Sequence, residues 1–111
     1  MSGGKIELRP EHLSGVGNKQ ILTRMLVNLV GVYSEGKDYN RAVRALDRTL
    51  TINPDQASYY RDRGLLLLAA GRERESIDSL ERYVRLSPRA RDAASIRASI
   101  KKIRSELSRL N

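Results

Sequence analysis

The chain contains no cysteine, no tryptophan and no phenylalanine, and it has a single histidine and three prolines. Lack of cysteine excludes disulfides, thiolate metal sites and cysteine nucleophiles. One imidazole, His12 in a polar lead-in, cannot build a metal site without a second soft ligand. The longest apolar run, "GLLLLAAG" at 64–71, is bounded by Arg63 and Arg72. It falls well short of the roughly 20 residues a membrane span needs. The first residues, "MSGGKIELRPEHL", do not follow the basic-then-apolar order of a secretory leader. Together these absences predict a soluble cytoplasmic protein. Without Phe or Trp, the core must come from Leu, Val, Ile, Ala and five Tyr, which points to helices packed on helices.

Charge is abundant and uneven. The 111 residues carry 21 Lys and Arg against 13 Asp and Glu, a net charge of +8. Residues 1–56 hold eight basic and six acidic side chains, while residues 57–111 hold thirteen and seven. A basic end can attract nucleic acid, anionic surfaces or acidic peptides, and it can equally serve as a solvated face.

A repeat organises the sequence. "LDRTLTINP" (46–54) and "LERYVRLSP" (80–88) align at an offset of 34, and Leu26/Tyr60, Val30/Gly64, Tyr33/Leu67 and Ala42/Ser76 follow the same offset. Two helical stretches per 34 residues is the tetratricopeptide period. The helices can be read without it. Leu22, Met25, Leu26, Leu29 and Tyr33 recur at three- and four-residue spacing over 21–34, and Gly36 ends that run. Ala42, Leu46 and Leu50 form the next stripe, stopped at Asn53-Pro54. A second pair spans about 57–70 and 73–86, ended by Gly71 and by Ser87-Pro88.

A fifth helix carries Ile96, Ile100, Ile103, Leu107 and Leu110 on one face. At an offset of 36 the isoleucines map onto Tyr60, Gly64 and Leu67, so the preceding loop should be two residues longer than its counterpart. The expected architecture is all-α: an α-solenoid of two tetratricopeptide hairpins plus a C-terminal capping helix. Its divisions are a flexible lead-in at 1–17 and a repeat domain at 18–111. Within that domain, the repeats lie at about 23–56 and 57–90 and the cap at about 92–110.

Leu65 to Leu68 form an unbroken row of four leucines. In such a stack Gly64 permits close approach, Leu67 fills the hairpin interior and Leu66 faces a neighbouring helix. Leu65 and Leu68 fall at the ninth and twelfth repeat positions, which face the concave groove. Neighbouring inward positions are Arg24, Val27, Asn28 and Gly31 from the first hairpin and Arg61 and Asp62 from the second. At the 36-residue offset the cap contributes Arg97, Lys101 and Arg104. The expectation is a groove with an apolar floor and a basic wall, suited to a protein or peptide segment carrying acidic and aliphatic side chains.

The stretches "ILTRMLVNLVGVY" (21–33) and "YYRDRGLLLLAAGRERESIDSLERYVRLSPRARDA" (59–93) resemble the bacterial SirB-like proteins, as does the flanking "IELRPEHLSGVGNKQ". The resemblance covers most of residues 6–98. Members of that family join an N-terminal transglutaminase-like domain to C-terminal tetratricopeptide repeats. The resemblance therefore implies an interaction module whose partner could be such a domain, absent from this sequence. The cysteine–histidine–acid chemistry of that domain cannot be rebuilt here, with no Cys and only His12.

Other candidates fail on context. Gly3-Gly4 and Gly15-Val16-Gly17 follow no strand, so they do not make a phosphate loop. Glu73 and Glu75 lie among arginines on a solvated helix face. Tetratricopeptide domains that grip a terminal carboxylate use Lys, Asn and Arg where this chain has Val27, Gly31, Asp62, Ala94 and Ala98. The functional expectation is a protein-interaction scaffold with no catalytic, cofactor or metal site. Nucleic-acid or anionic-surface binding by the basic half is the alternative, disfavoured because no exposed aromatics are interleaved with the basic residues.

Overall fold

The computed structural model describes residues 16–110. It contains five helices, α1 (Val16–Glu35), α2 (Tyr39–Ile52), α3 (Ala57–Ala69), α4 (Glu73–Leu86) and α5 (Ala93–Arg109). There is no strand among the described residues. Each helix packs chiefly on its neighbours in the chain, giving an elongated stack 49 × 32 × 21 Å in extent. This is the all-α helical-repeat architecture that the 34-residue period implies. His12, Gly3-Gly4 and most of the expected lead-in lie outside the described residues. Val16 and Gly17, assigned above to that lead-in, are already helical.

The turns repeat as the sequence does. After α1, Lys37 takes a left-handed φ of 60°, Lys37 N–H donates to Ser34 C=O, and Asp38 N–H donates to Tyr33 C=O at 2.8 Å. After α3, Gly71 has φ 78°, with Gly71 N–H on Leu68 C=O and Arg72 N–H on Leu67 C=O at 2.8 Å. Both are Schellman closures, which satisfy the last carbonyls of a helix and require one left-handed residue. The second helices end alike, with Asn53 N–H on Thr49 C=O and Ser87 N–H on Tyr83 C=O, each followed by a proline that cannot continue the helix.

The core runs along the middle of the stack. Leu46, Leu67 and Leu80 are the largest fully buried side chains, with Val43, Thr49 and Ser76 beside them. The approach of α3 to α4 depends on small groups. Gly64 is buried, Ser76 Oγ donates to its carbonyl at 2.9 Å, and a Cβ placed on Gly64 would lie 2.5 Å from Leu80 Cδ2. Beyond this, Ile77, Leu80 and Tyr83 of α4 meet Ile96, Ile100 and Ile103 of α5 in one apolar cluster.

Candidate binding surfaces

The four leucines divide by direction. Leu67 is fully buried and Leu66 half-buried, whereas Leu65 and Leu68 stay 38% and 37% exposed. Val27 of α1 is 40% exposed, and Arg24, Asn28 and Gly31 are exposed around it. At the 34-residue offset Val27 is equivalent to Arg61, Asn28 to Asp62 and Gly31 to Leu65. Three of the four α1 members of the expected groove therefore match α3 members in the next repeat, while Arg24 and Leu68 correspond to Ser58 and Ser34.

Arg61 is held rather than free. Its Nε donates to Asp92 Oδ2 at 2.5 Å, and its Nη1 lies 3.7 Å from Asp62 Oδ1. Tyr83 Oη donates to the other oxygen of Asp92. The tyrosine hydroxyl and the guanidinium together hold the Asp92 carboxyl below the ordinary aspartate range. Partial burial moves Asp62 the opposite way, against the pull of Arg61. The triad ties α3, α4 and the start of α5 together, and nothing in the sequence periodicity singled out Asp92.

Arg97, Lys101 and Arg104 face a depression between α4 and α5. They line it with Glu81 and Val84 of α4 and with Ile100, and Leu65 and Leu68 are not part of that lining. Arg104 pairs with Glu81. An equivalent depression one repeat earlier is lined in part by Asp47, Leu50, Tyr60 and Arg63. Asp47 and Leu50 shift by 34 to Glu81 and Val84, but Tyr60 and Arg63 shift by 37 to Arg97 and Ile100.

The first residues of α3 and α5, Ala57 and Ala93, are 36 apart, matching the longer loop. The packing face is one residue further on. At 37, Arg97, Lys101 and Arg104 take the places of Tyr60, Gly64 and Leu67, the stripe that α3 turns toward α4. The physical reason is the number of neighbours. With a helix on one side only among the described residues, α5 turns its isoleucine stripe onto α4. By the same offset, the α5 counterpart of Leu65 is Lys102, an exposed residue outside the expected groove.

The equivalent depression between α2, α3 and α4 is laced by its own side chains. Arg63 Nε donates to Asp47 Oδ1 and its Nη1 to Ser79 Oγ, both at 2.6 Å, while the Arg82 guanidinium lies 5.3 Å from the Tyr60 ring centroid. Among the described residues no cluster of His, Cys, Asp or Glu could hold a metal ion, and no helix is long and apolar enough to cross a membrane.

Comparison with known proteins agrees with this geometry. A family model described as tetratricopeptide repeat matches residues 29–101. UPF0162 proteins from two strains of Xylella fastidiosa, Temecula1 and 9a5c, are each 34% identical over 88 residues, covering 79% of this chain and 31% of the relative. A UPF0162 protein of Vibrio cholerae is 36% identical over 64 residues, 58% of this chain and 24% of its own length. The chain thus spans about a third or less of these relatives. None of their names carries the SirB designation. No solved structure matches the chain. On the family match and the two helical hairpins with their repeated turns, the chain belongs to the tetratricopeptide-repeat family.

Proposed function

We propose that this chain is a protein-binding module whose groove is formed by the inward faces of α1 and α3. Tetratricopeptide-repeat domains generally mediate contacts between proteins. The observation that carries the groove is the exposure of Leu65 and Leu68 at inward repeat positions, while their neighbour Leu67 is fully buried. Val27 extends that apolar floor, Arg24 supplies positive charge, Asn28 and Asp62 supply polar contacts, and Arg61, held by Asp92, fixes the wall beside them. An extended or helical segment with aliphatic anchors and intervening acidic residues fits this chemistry. The relatives' greater length and the SirB-like resemblance support a second element of the reading: the partner is a domain joined to these repeats in a longer chain. In this reading the module works as a scaffold in the cytoplasm and performs no chemistry.

A peptide array offered to the parent and to the Leu65→Ser/Leu68→Ser variant tests the groove. Aliphatic-acidic peptides should be captured by the parent and lose at least tenfold in affinity with the double variant. Equal capture by the two proteins removes the inward face as the site. Capture of single-stranded oligonucleotides in preference to any peptide transfers the function to the basic residues.

A further inference from the structure

We propose that the open slot along α4 and α5 binds an acidic amphipathic helix from a protein partner. In the second repeat α4 packs on the equivalent stripe of α3 at Gly64, which lies against Leu80 and accepts from Ser76, and Leu67 is left with no exposure. After α5 no further helix covers the equivalent stripe among the described residues, and Arg97, Lys101 and Arg104 are exposed there. Half-buried Val84 and the edge of Ile100 give the slot an apolar floor, and half-buried Leu107 lines the adjoining depression that shares Arg104 with it.

Charge says what the occupant is. Here the three positions are all cationic and stand four and three residues apart, a spacing that puts them on one helix face over roughly 10 Å. Arg104 has Glu81 as its partner, but neither Arg97 nor Lys101 has an acidic partner among the described residues. A second helix lying where α4 lies on α3 would meet this stripe along its length. Carboxylates at three- and four-residue spacing would face the cations, and leucine-sized side chains would reach Val84 and Leu107. The surface is distinct from the face bearing Leu65 and Leu68, so the two stand or fall separately.

The test uses the full chain and two synthetic end-blocked peptides of about 16 residues, with leucine at helical spacing. One carries glutamate at the remaining positions and the other lysine. Titration followed by amide chemical shifts should give micromolar binding of the glutamate peptide, with shifts concentrated at residues 97–107 and affinity falling as salt rises. The lysine peptide should not bind. Arg97→Gln/Lys101→Gln should remove the shifts at residues 97–107, whereas Leu65→Ser/Leu68→Ser should leave those shifts in place and remove only shifts along α1 and α3.

Equal binding of the two peptides overturns the proposal without needing any variant. So does loss of the shifts at residues 97–107 only in the leucine variant, an outcome that keeps the α1–α3 groove and discards this slot. Binding of a single-stranded oligonucleotide through Arg97 and Lys101, with no uptake of the glutamate peptide, overturns it in favour of nucleic acid.

Discussion

Helices α3 and α5 hold the same place in successive repeats and solve different packing problems. The first has a helix on each side, so it spends two faces. Arg63 reaches back to Asp47 and across to Ser79, Gly64 and Leu67 press on α4, and Leu65 and Leu68 are left half-exposed. Among the described residues the second has a helix on one side, and its apolar residues collect there. Ile96, Ile100 and Ile103 are all 5–6% exposed, while the next stripe round is cationic. A repeat position thus prescribes a location in the stack and not a face. Which face is apolar follows from how many neighbours the helix must cover.

The contrast can be broken first at Ile100. An aspartate there puts an unpaired charge into the cluster with Ile77, Leu80 and Tyr83, which should cost about 4 kcal/mol. For a domain of this size that lowers the melting temperature by more than about 10 °C. A variant melting within a few degrees of the parent would show that α5 is not docked by its isoleucines.

Gly64 and Lys101 give a second, paired test, because they share a repeat position. Valine at 64 has no room, since even the first added carbon would sit 2.5 Å from Leu80 Cδ2 and 2.6 Å from its Cγ, and Leu80 is fully buried. Overpacking of this kind should cost about 3 kcal/mol. Valine at 101 replaces an exposed side chain and should change stability by no more than about 0.5 kcal/mol. Urea unfolding of the two variants measures both. Similar losses would mean that the slot after α5 is as closed as the one after α3.

A smaller contrast lies in the hairpin turns, where the left-handed residue is Lys37 in one and Gly71 in the other. A side chain in that conformation costs about 1 kcal/mol, and glycine does not pay it. Lys37→Gly should therefore raise stability by about that amount, and Gly71→Ala should lower it similarly. The second effect is purely conformational, because a Cβ at Gly71 meets nothing within 4 Å. Shifts in the same direction would refute the shared closure.

Much of this was legible in the residues. The 34-residue offset, the glycine and proline punctuation and the three- and four-residue stripes place the helices, and α4 (Glu73–Leu86) starts and stops where its flanking Gly71 and Ser87-Pro88 put it. The start of α1 was less visible. Val16-Gly17-Asn18 continues no apolar stripe, yet the helix includes it. Leu65 and Leu68 were readable as half-exposed because their positions repeat. The orientation of α5 was not, because alignment assumes that equivalent residues meet equivalent neighbours, and among the described residues α5 lacks one of them. Asp92 was invisible for another reason: its partners, Arg61 and Tyr83, are 31 and 9 residues away and share no period with it.

That carboxylate supplies the smallest and most selective test of the link between α3 and α5. Tyr83 and Arg61 hold Asp92 below the ordinary aspartate value, so the folded state favours its charged form more than the unfolded chain does. The resulting stabilisation is complete above the unfolded value, near pH 4, and disappears as pH falls through the lower folded value. Asp62, raised by partial burial, behaves in reverse: folding favours its protonated form, so its contribution declines as pH climbs from below about 4. Asp92→Asn should accordingly be less stable than the parent at pH 7 and approach it in acid. Asp62→Asn should be at least as stable as the parent at pH 7 and lose that advantage in acid. The other carboxylates are common to all three proteins, so their titration cancels in the differences. Urea midpoints at pH 7 and at about pH 3 give the comparison. A pH-independent gap for Asp92→Asn would mean that its contacts with Arg61 and Tyr83 do not depend on its charge, and the electrostatic link from α3 to α5 would be lost.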